Sequence, residues 1–425
     1  MISSVIGTFL VRFISAVLNF LVVVLLSQYL GPEGKGICTR YITIIANALI
    51  FCDFIGGPPL VYLSAKYRTP SLLWPSYLWS ALTSALTIYI FMLFDLVAPA
   101  EYGYLVILSF LNSAIAIHQN ILSGKMKFLR LNLVLLLQSA LLFLSLRYFV
   151  GLSVAEFTIG PSPIFYILSL GISWGLSALL GYIFVITLEK SGEDISVRRF
   201  LSEAYRYGFT NITGHALQFI NQRLSYFLLS RKALGVFSNA SSVGESLWLV
   251  SGSIATVQYG RVSNLSDKKQ REDLTLLFLK LNLMLCSIGG LIMFFVPETF
   301  YVWVFGKDFF GIGSLLAVLI PGLIFFSGYL ILGHHFSGCG EFKKNIYCIV
   351  TGLIITVLGI AIIYFSRAEF SIRAAALITS LSYLGNFCSA LFIFSRDASL
   401  SLKQVLPRYS DFILFANQIR FPRKK

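Results

Sequence analysis

Two apolar stretches of the chain carry polar side chains at helical spacing, and these residues are the first candidates for contact with a ligand. In the stretch Val5–Leu30, steps of four, three and four residues place on one helical face Thr8, Arg12, Ser15 and Asn19. In the stretch Phe209–Leu229, a similar spacing aligns Asn211, His215, Gln218, Gln222 and Ser225. A polar face against lipid is costly, so each stripe is expected to face the protein interior or a water-filled cavity. A cation such as Arg12 inside an apolar stretch favours a transport pathway.

Among the other charged residues inside apolar stretches, the most informative are Asp53, Arg223 and Glu245. Arg12 and Asp53 are predicted at similar depth, and an ion pair between them would serve either the pathway or helix packing alone. Arg223 and Glu245 are also predicted at comparable depth. Glu245 is then either a proton or cation site, because desolvation favours the protonated form, or a carboxylate kept ionised by Arg223.

A Gly-Gly-Pro-Pro run lies at the end of the apolar stretch Ile37–Leu63, at Gly56, Gly57, Pro58 and Pro59. The two prolines cannot donate backbone hydrogen bonds, and the glycines add backbone freedom. The run therefore predicts an unwound or kinked segment, which is either a hinge or a simple end of the helix.

The chain shows no spacing typical of a catalytic centre or a metal site. His334 and His335 are adjacent and would point about 100 degrees apart on a helix, which makes a poor metal pair. The six cysteines are scattered without a CxxC pair, as is typical of structural thiols. We therefore expect no enzyme, no metal, no cofactor and no nucleic-acid partner, with proton or sodium coupling left open.

Membrane-spanning helices must position these residues. Hydrophobic residues make up 57% of the 425 residues and charged residues only 12%, values typical of a polytopic membrane protein. About twelve stretches are long enough to span a bilayer. They are Val5–Leu30, Ile37–Leu63, Ser76–Val97, Tyr104–Leu122, Leu131–Val150, Ile164–Leu188, Phe209–Leu229, Val236–Val257, Leu274–Val296, Ile312–His334, Ile346–Phe365 and Ala374–Phe394.

Lysines and arginines concentrate in alternate connections and in the C-terminal tail, and the positive-inside rule places those connections and both termini in the cytoplasm. This distribution accounts for much of the net charge of +14, so the charge alone does not establish an anionic substrate.

An internal repeat divides the chain near its middle. Leu30–Gly31 matches Leu234–Gly235 at an offset of about 204 residues, and the two polar stripes match at nearly the same offset. The repeat predicts a six-helix bundle over residues 1–190, a cytoplasmic connecting loop over 191–206, a second six-helix bundle over 207–395 and a basic cytoplasmic tail over 396–425. Repeats of this kind are common in transporters, with the substrate site between the halves.

Several short motifs carry a resemblance to a known family. They are the interior arginine of the span Val5–Leu30, the glycine at the end of the span Ile37–Leu63, and three short runs. The runs are Tyr29–Leu30–Gly31–Pro32–Glu33–Gly34–Lys35–Gly36, Val304–Phe305–Gly306–Lys307–Asp308–Phe309 and Ser337–Gly338–Cys339–Gly340–Glu341–Phe342. Together they resemble the polysaccharide exporters, the lipid-linked oligosaccharide flippases of the Wzx type within the multidrug/oligosaccharidyl-lipid/polysaccharide (MOP) exporter superfamily.

The resemblance implies an all-α protein of two six-helix bundles around a central cavity, related to the multidrug and toxic compound extrusion (MATE) transporters. It implies movement of an undecaprenyl-diphosphate-linked oligosaccharide from the cytoplasmic to the periplasmic leaflet of the bacterial inner membrane, for O-antigen, lipopolysaccharide or another surface polysaccharide. From position, we expect a substrate-binding cavity lined by Arg12, Asn19, Arg40, Asn211, His215, Gln218, Gln222 and Arg223. Asp53 and Glu245 are expected to serve ion coupling or to form structural pairs.

Other readings stay open beside this one. About twelve spans disfavour the lipid II flippases, which have two more. An interior arginine in place of interior acids disfavours a drug exporter, but Asp53 keeps an ion-coupled exporter of organic cations as the alternative. The expected partners are membrane lipids and, by resemblance, a polysaccharide polymerase or a chain-length regulator, and the protein is expected to be a monomer.

Overall fold

The computed structural model consists of α-helices and describes residues 2–64, 66–156, 162–188, 193–265 and 267–399. The side chains of Asn211 and Pro58, and most of the predicted tail over 396–425, lie outside the described residues. The helices are α1 (Ile2–Gly56), α2 (Pro58–Ser64), α3 (Thr69–Leu93), α4 (Tyr102–Gly124), α5 (Phe128–Glu156), α6 (Ile164–Ile186), α7 (Val197–Arg223), α8 (Arg231–Glu245), α9 (Trp248–Asn264), α10 (Lys268–Phe295), α11 (Glu298–Phe305), α12 (Ile312–Gly338), α13 (Phe342–Phe365) and α14 (Ile372–Asp397).

Nine helical segments among the described residues are long and apolar enough to cross a membrane. The first of them, Leu10–Val61, covers most of two spans predicted from the sequence, Val5–Leu30 and Ile37–Leu63. The predicted spans seven and eight lie on α7, α8 and α9, which are more polar or shorter. These helices confirm the prediction of an all-α polytopic membrane protein.

A kink divides α1 into two arms where two separate spans were predicted. Gly31 adopts φ 65° and ψ −176°, and Pro32 follows it. A positive φ is accessible to glycine without a Cβ clash, which explains why the chain can turn here without a loop. The arm before Gly31 carries Arg12 and Asn19, and the arm after it carries Arg40 and Asp53.

Two boundaries differ from the predictions. The predicted connecting loop over 191–206 is mostly helical, because α7 begins at Val197. Ile195 and Phe200 are buried in one apolar cluster with Leu63, and this packing explains why a hydrophilic stretch forms a helix. The predicted span Val236–Val257 is broken, because α8 ends at Glu245 and α9 begins at Trp248.

The chain divides into two compact units. The first unit comprises Met1–Ala216, Ser230–Gly235 and Val304–Asp308, and the second comprises Leu217–Leu229, Val236–Trp303 and Phe309–Lys425. In the first unit α1 packs against α3, α4 and α5, and α6 packs against α4 and α5. In the second unit α12 packs against α9, α10, α13 and α14. The domain limits predicted from the repeat stay a prediction.

Candidate functional site

Two residues of the polar stripe on the first arm of α1 are exposed, whereas the hydroxyl of Ser15 is buried and the side chain of Thr8 lies outside the described residues. The side chains of Arg12 and Asn19 are exposed, and their apolar neighbours Phe13 and Phe20 are 58% and 44% exposed. Arg12 forms no ion pair with any carboxylate in the described part of the chain. A cation in an apolar span without a protein counter-charge is available to an anionic ligand.

The predicted ion pair between Arg12 and Asp53 does not form, and this expectation was wrong. Asp53 is half-buried in the last turn of α1, which packs on α4, where Asn120 Nδ2 donates to the carbonyl oxygen of Gly56 at 3.3 Å. Arg12 is instead exposed. The sequence gives the depth of each residue along its helix but not the direction in which its side chain points, so equal depth did not bring the two together.

The Gly-Gly-Pro-Pro run interrupts the helix where the sequence predicted a break. α1 ends at Gly56, Gly57 forms a bend, and α2 begins at Pro58. Proline is well tolerated at the first position of a helix, because a backbone N–H there would have no acceptor within the helix. Pro59 is buried. A role of these four residues as a hinge stays a prediction.

The second polar stripe is hydrogen-bonded inside the second unit along α7. Gln218 Oε1 accepts from Asn386 Nδ2 at 3.3 Å, and a hydrogen bond links Gln222 to Tyr383. His215 is exposed and belongs to the first unit, and the side chain of Asn211 lies outside the described residues. The two glutamines are therefore interior polar groups of the second unit, whereas His215 is an exposed residue of the first unit.

Asn221, which is not among the predicted site residues, is the centre of this stripe. Its Nδ2 donates to Ser382 Oγ at 2.8 Å, and its Oδ1 accepts from Thr356 Oγ1 at 2.6 Å. Ser382 in turn donates to the carbonyl oxygen of Gly352 at 2.9 Å. Asn221 lies three residues after Gln218, so the same helical spacing that found Gln218 could have found it.

Arg223 and Glu245 form a two-point ion pair in the second unit. Arg223 Nη1 lies 3.2 Å from Glu245 Oε1, and Arg223 Nη2 lies 3.2 Å from Glu245 Oε2. The guanidinium also covers the ring of Tyr226 at 4.8 Å from its centroid and donates to the Tyr226 hydroxyl. Glu245 is thus compensated by a cation, which argues against a free carboxylate at this position.

Two turns that correspond in the repeat touch each other within the first unit. A Cβ added to Gly36 would lie 1.7 Å from the carbonyl oxygen of Arg231, and one added to Gly235 would lie 1.8 Å from that of Pro32. We call this packing of residues 31–36 on residues 231–235 the outer turn contact, because the charge distribution predicts that both turns lie on the periplasmic side. Gln28 Nε2 donates nearby to the carbonyl oxygen of Val304 at 2.8 Å.

Arg40 and Lys35 lie close to this contact. Arg40, a predicted cavity residue, is half-buried, and its charge lies near those of Glu101 and Arg231. Lys35 is 8% exposed. The sequence did not indicate burial of Lys35, because this residue lies in a predicted turn, where lysine is normally solvated.

The fold is that of MOP superfamily transporters. The chain matches no family model and no curated protein sequence. Among solved structures, it superposes on the lipid II flippase MurJ in an inward closed conformation with a TM-score of 0.72 and 16% identity, over 99% of this chain and 94% of MurJ. A MATE family multidrug resistance transporter in its inward-facing conformation gives a TM-score of 0.68 with 14% identity, over 91% and 94% of the two chains.

A third similar structure is a MOP superfamily transporter from Pyrococcus furiosus, described as having a binding pocket of reversed polarity. It gives a TM-score of 0.60 with 16% identity, over 93% of this chain and 94% of the other. At such identities the likeness establishes the fold of a multi-pass membrane protein. The number of predicted spans, which disfavoured a lipid II flippase, does not separate this chain from the fold of that protein.

Proposed function

We propose that this protein is a flippase that moves an undecaprenyl-diphosphate-linked oligosaccharide from the cytoplasmic to the periplasmic leaflet of the bacterial inner membrane. Alternating access would carry the headgroup across, for assembly of O-antigen or another surface polysaccharide. The observation that carries the proposal is the contrast between two intramembrane arginines. Arg223 is neutralised by Glu245, whereas Arg12 is exposed and has no carboxylate partner among the described residues.

An uncompensated cation inside a membrane is stabilised by an anionic ligand, and a diphosphate offers several oxygens to a guanidinium. The exposed amide of Asn19 lies two helical turns from Arg12 on the same face and would hydrogen-bond sugar hydroxyls. We place Arg40, Asn211, His215, Gln218, Gln222 and Arg223 around the same pathway as hypotheses. The presence of a lipid flippase among the similar folds supports a lipid-linked substrate.

The alternative function is ion-coupled export of organic cations. Asp53 favours it, because this half-buried carboxylate has no ion pair or hydrogen bond to its side chain among the described residues. A lone intramembrane acid could carry a proton or bind a cation. The exposed Arg12 opposes this reading, since it would repel a cationic drug in the same pathway.

The test is the leaflet distribution of undecaprenyl-linked glycan in cells with and without the gene. We expect accumulation on the cytoplasmic leaflet without it, reversed by the wild type and by the control Arg147→Gln, an exposed arginine of α5 in the same unit. Arg12→Gln should fail to reverse it at equal protein level. An unchanged distribution without the gene would refute the flippase function. Organic-cation efflux would then be compared between the wild type and Asp53→Asn.

A further inference from the structure

The short helix α11 presents two different faces, although most of its side chains are apolar. Tyr301 and Phe305, one helical turn apart, are 2% and 1% exposed. Phe300 and Trp303, also one turn apart, are 48% and 75% exposed, and their ring centroids lie 6.1 Å apart. The exposed face is therefore aromatic, and its contact with water would be unfavourable.

Polar contacts of the second unit fix which face of α11 is exposed. The hydroxyl of Tyr301 donates to the carbonyl oxygen of Met293 on α10 at 3.1 Å. The two carboxylate oxygens of Glu298 accept from the backbone N–H groups of Gly311 at 2.7 Å and Gly313 at 2.9 Å. These bonds hold α11 to the end of α10 and to the start of α12, and they satisfy the one charged side chain of α11.

The exposed face of α11 continues an apolar surface of α10. The last turns of α10 expose large apolar side chains, which line a groove of about 520 Å³ together with the two residues that precede α11 in the chain. The lining residues are Ile288, Leu291, Ile292, Phe295, Val296 and Pro297. α10 is one of the helices able to cross a membrane, and an exposed apolar surface on such a helix faces lipid chains.

The length of α10 places α11 at the membrane surface. About 20 apolar residues cross the hydrocarbon core, and the apolar run of α10 begins at Leu274 and ends at Phe295. α11 begins three residues later, at Glu298, and is followed by the exposed charges of Lys307 and Asp308. α11 thus lies between the end of a spanning helix and a charged turn.

Trp303 suits the lipid headgroup region better than an apolar protein surface. Its indole N–H has no acceptor in the described part of the chain, whereas Trp248 Nε1 donates to the carbonyl oxygen of Leu323 at 3.2 Å and Trp79 Nε1 donates to that of Phe51 at 2.9 Å. Tryptophan is enriched at membrane–water interfaces, because its ring is apolar and its N–H can bond to polar groups of the lipid.

We propose that α11 is an interfacial helix that binds the surface of the phospholipid bilayer. Phe300 and Trp303 insert between the lipids, and an acyl chain fills the groove at the end of α10. The distribution of lysine and arginine predicts that this surface is the periplasmic one. The role is independent of the proposed flippase function, because it concerns the attachment of the second unit to the membrane.

The test is depth-dependent quenching of Trp303 fluorescence in the full chain in phosphatidylcholine bilayers. The Trp303 signal is the difference between the wild type and Trp303→Phe, a variant that keeps an aromatic ring. Because an interfacial helix lies roughly 5–10 Å deep, lipids brominated near the glycerol end of the chain should quench this signal at least about twofold more than lipids brominated near the chain end. Iodide in the water should quench it little. The control is Trp174→Phe, because the buried Trp174 of α6 should be quenched little by any of these reagents.

A second variant provides a depth marker in the groove. In the Trp303→Phe protein, Ile288→Trp places a tryptophan seven residues before the end of α10, about 10 Å along the helix axis. This tryptophan should show the opposite preference and be quenched more by bromine near the chain end. Equal depth of the two signals, or strong quenching of Trp303 by iodide, would overturn the interfacial position of α11. Protection of Trp303 from both bromine and iodide would overturn it in favour of a protein surface that covers the helix.

Discussion

Arg223 and Glu245 lie at the ends of two consecutive helices and form two nitrogen–oxygen contacts, each 3.2 Å long. α7 ends at Arg223 and passes into a 3₁₀ turn over Leu224–Phe227, and α8 ends at Glu245 before α9 begins. Interrupted helices in transporters commonly mark substrate or ion sites. The pair joins the two interruptions, and we interpret it as the element that fixes their geometry.

Removal of one partner of this pair should destabilise the second unit. Glu245→Gln and Arg223→Gln should each lower the free energy of unfolding by about 2 kcal/mol, below the cost for a fully buried pair because both side chains keep some exposure. The double variant should cost less than the sum of the two, with a coupling of at least about 1 kcal/mol. Chemical unfolding followed by tryptophan fluorescence measures both quantities.

The control for this pair is Asp273→Asn on α10 of the same unit. Asp273 is exposed and forms no ion pair among the described residues. Its loss should change the unfolding free energy by less than about 0.5 kcal/mol. Equal effects of Asp273→Asn and Glu245→Gln would show that the Arg223–Glu245 pair has no special structural role.

Thr356→Val should destabilise the second unit, because it removes the hydroxyl that donates to Asn221 at 2.6 Å in a fully buried setting. Valine keeps the volume, so the expected loss of about 1 kcal/mol in unfolding free energy reports the hydrogen bond. The control is Thr351→Val on the same helix, an exposed hydroxyl that bonds only to its own backbone at Tyr347. If both variants are equally stable, Asn221 is not the centre of a stabilising network.

The sequence predicted the polar stripes and the depth of the charged residues better than it predicted their partners. Spacing along a helix fixes which residues share a face, and it placed Gln218 and Gln222 together. Equal predicted depth correctly indicated the ion pair of Arg223 with Glu245. It wrongly indicated a pair of Arg12 with Asp53, because the position of a residue along the helix axis does not fix the direction of its side chain. The two pairs had equal support from the sequence, and only packing distinguished them.

Other features depended on contacts distant in sequence. The break after Glu245 has no proline, so neither residue type nor hydropathy predicted it there. The approach of Gly36 to Arg231 depends on two turns almost two hundred residues apart. The helical start of α7 depends on burial of Phe200 against the core of the first unit, which overrides its hydrophilic surroundings.

Acidification should loosen the start of α7. The carboxyl of Glu203 accepts hydrogen bonds from Arg199 at 2.9 Å and from Tyr67 at 3.0 Å, on the side predicted to be cytoplasmic. Burial acts to raise the pKa of Glu203, but these hydrogen bonds and the charge of Arg199 outweigh it and lower the pKa below its ordinary value of 4.5. The stabilisation is therefore complete above the ordinary pKa and is lost as the pH falls through the lowered one.

Hydrogen exchange of the first turns of α7 measures this loss. We expect faster exchange as the pH falls from about 6 to about 3, after correction for intrinsic rates. Glu203→Gln should show the faster exchange already at neutral pH and little further change on acidification. A wild-type response that Glu203→Gln reproduces in full would assign the effect to another group.

Gly235→Ala should destabilise the first unit although alanine is the better helix former. Alanine in place of glycine inside a helix is normally favourable by about 1 kcal/mol, and α8 is helical at this position. The new methyl group would, however, lie 1.8 Å from the carbonyl oxygen of Pro32, a backbone atom that cannot rotate away. We expect a lower melting temperature for Gly235→Ala, because the outer turn contact must open to admit the methyl group.

Gly171→Ala in α6, where nothing lies within 4 Å, provides the control and should be at least as stable as the wild type. A Gly235→Ala protein that melts with or above Gly171→Ala would mean that the two turns do not hold each other in the folded protein.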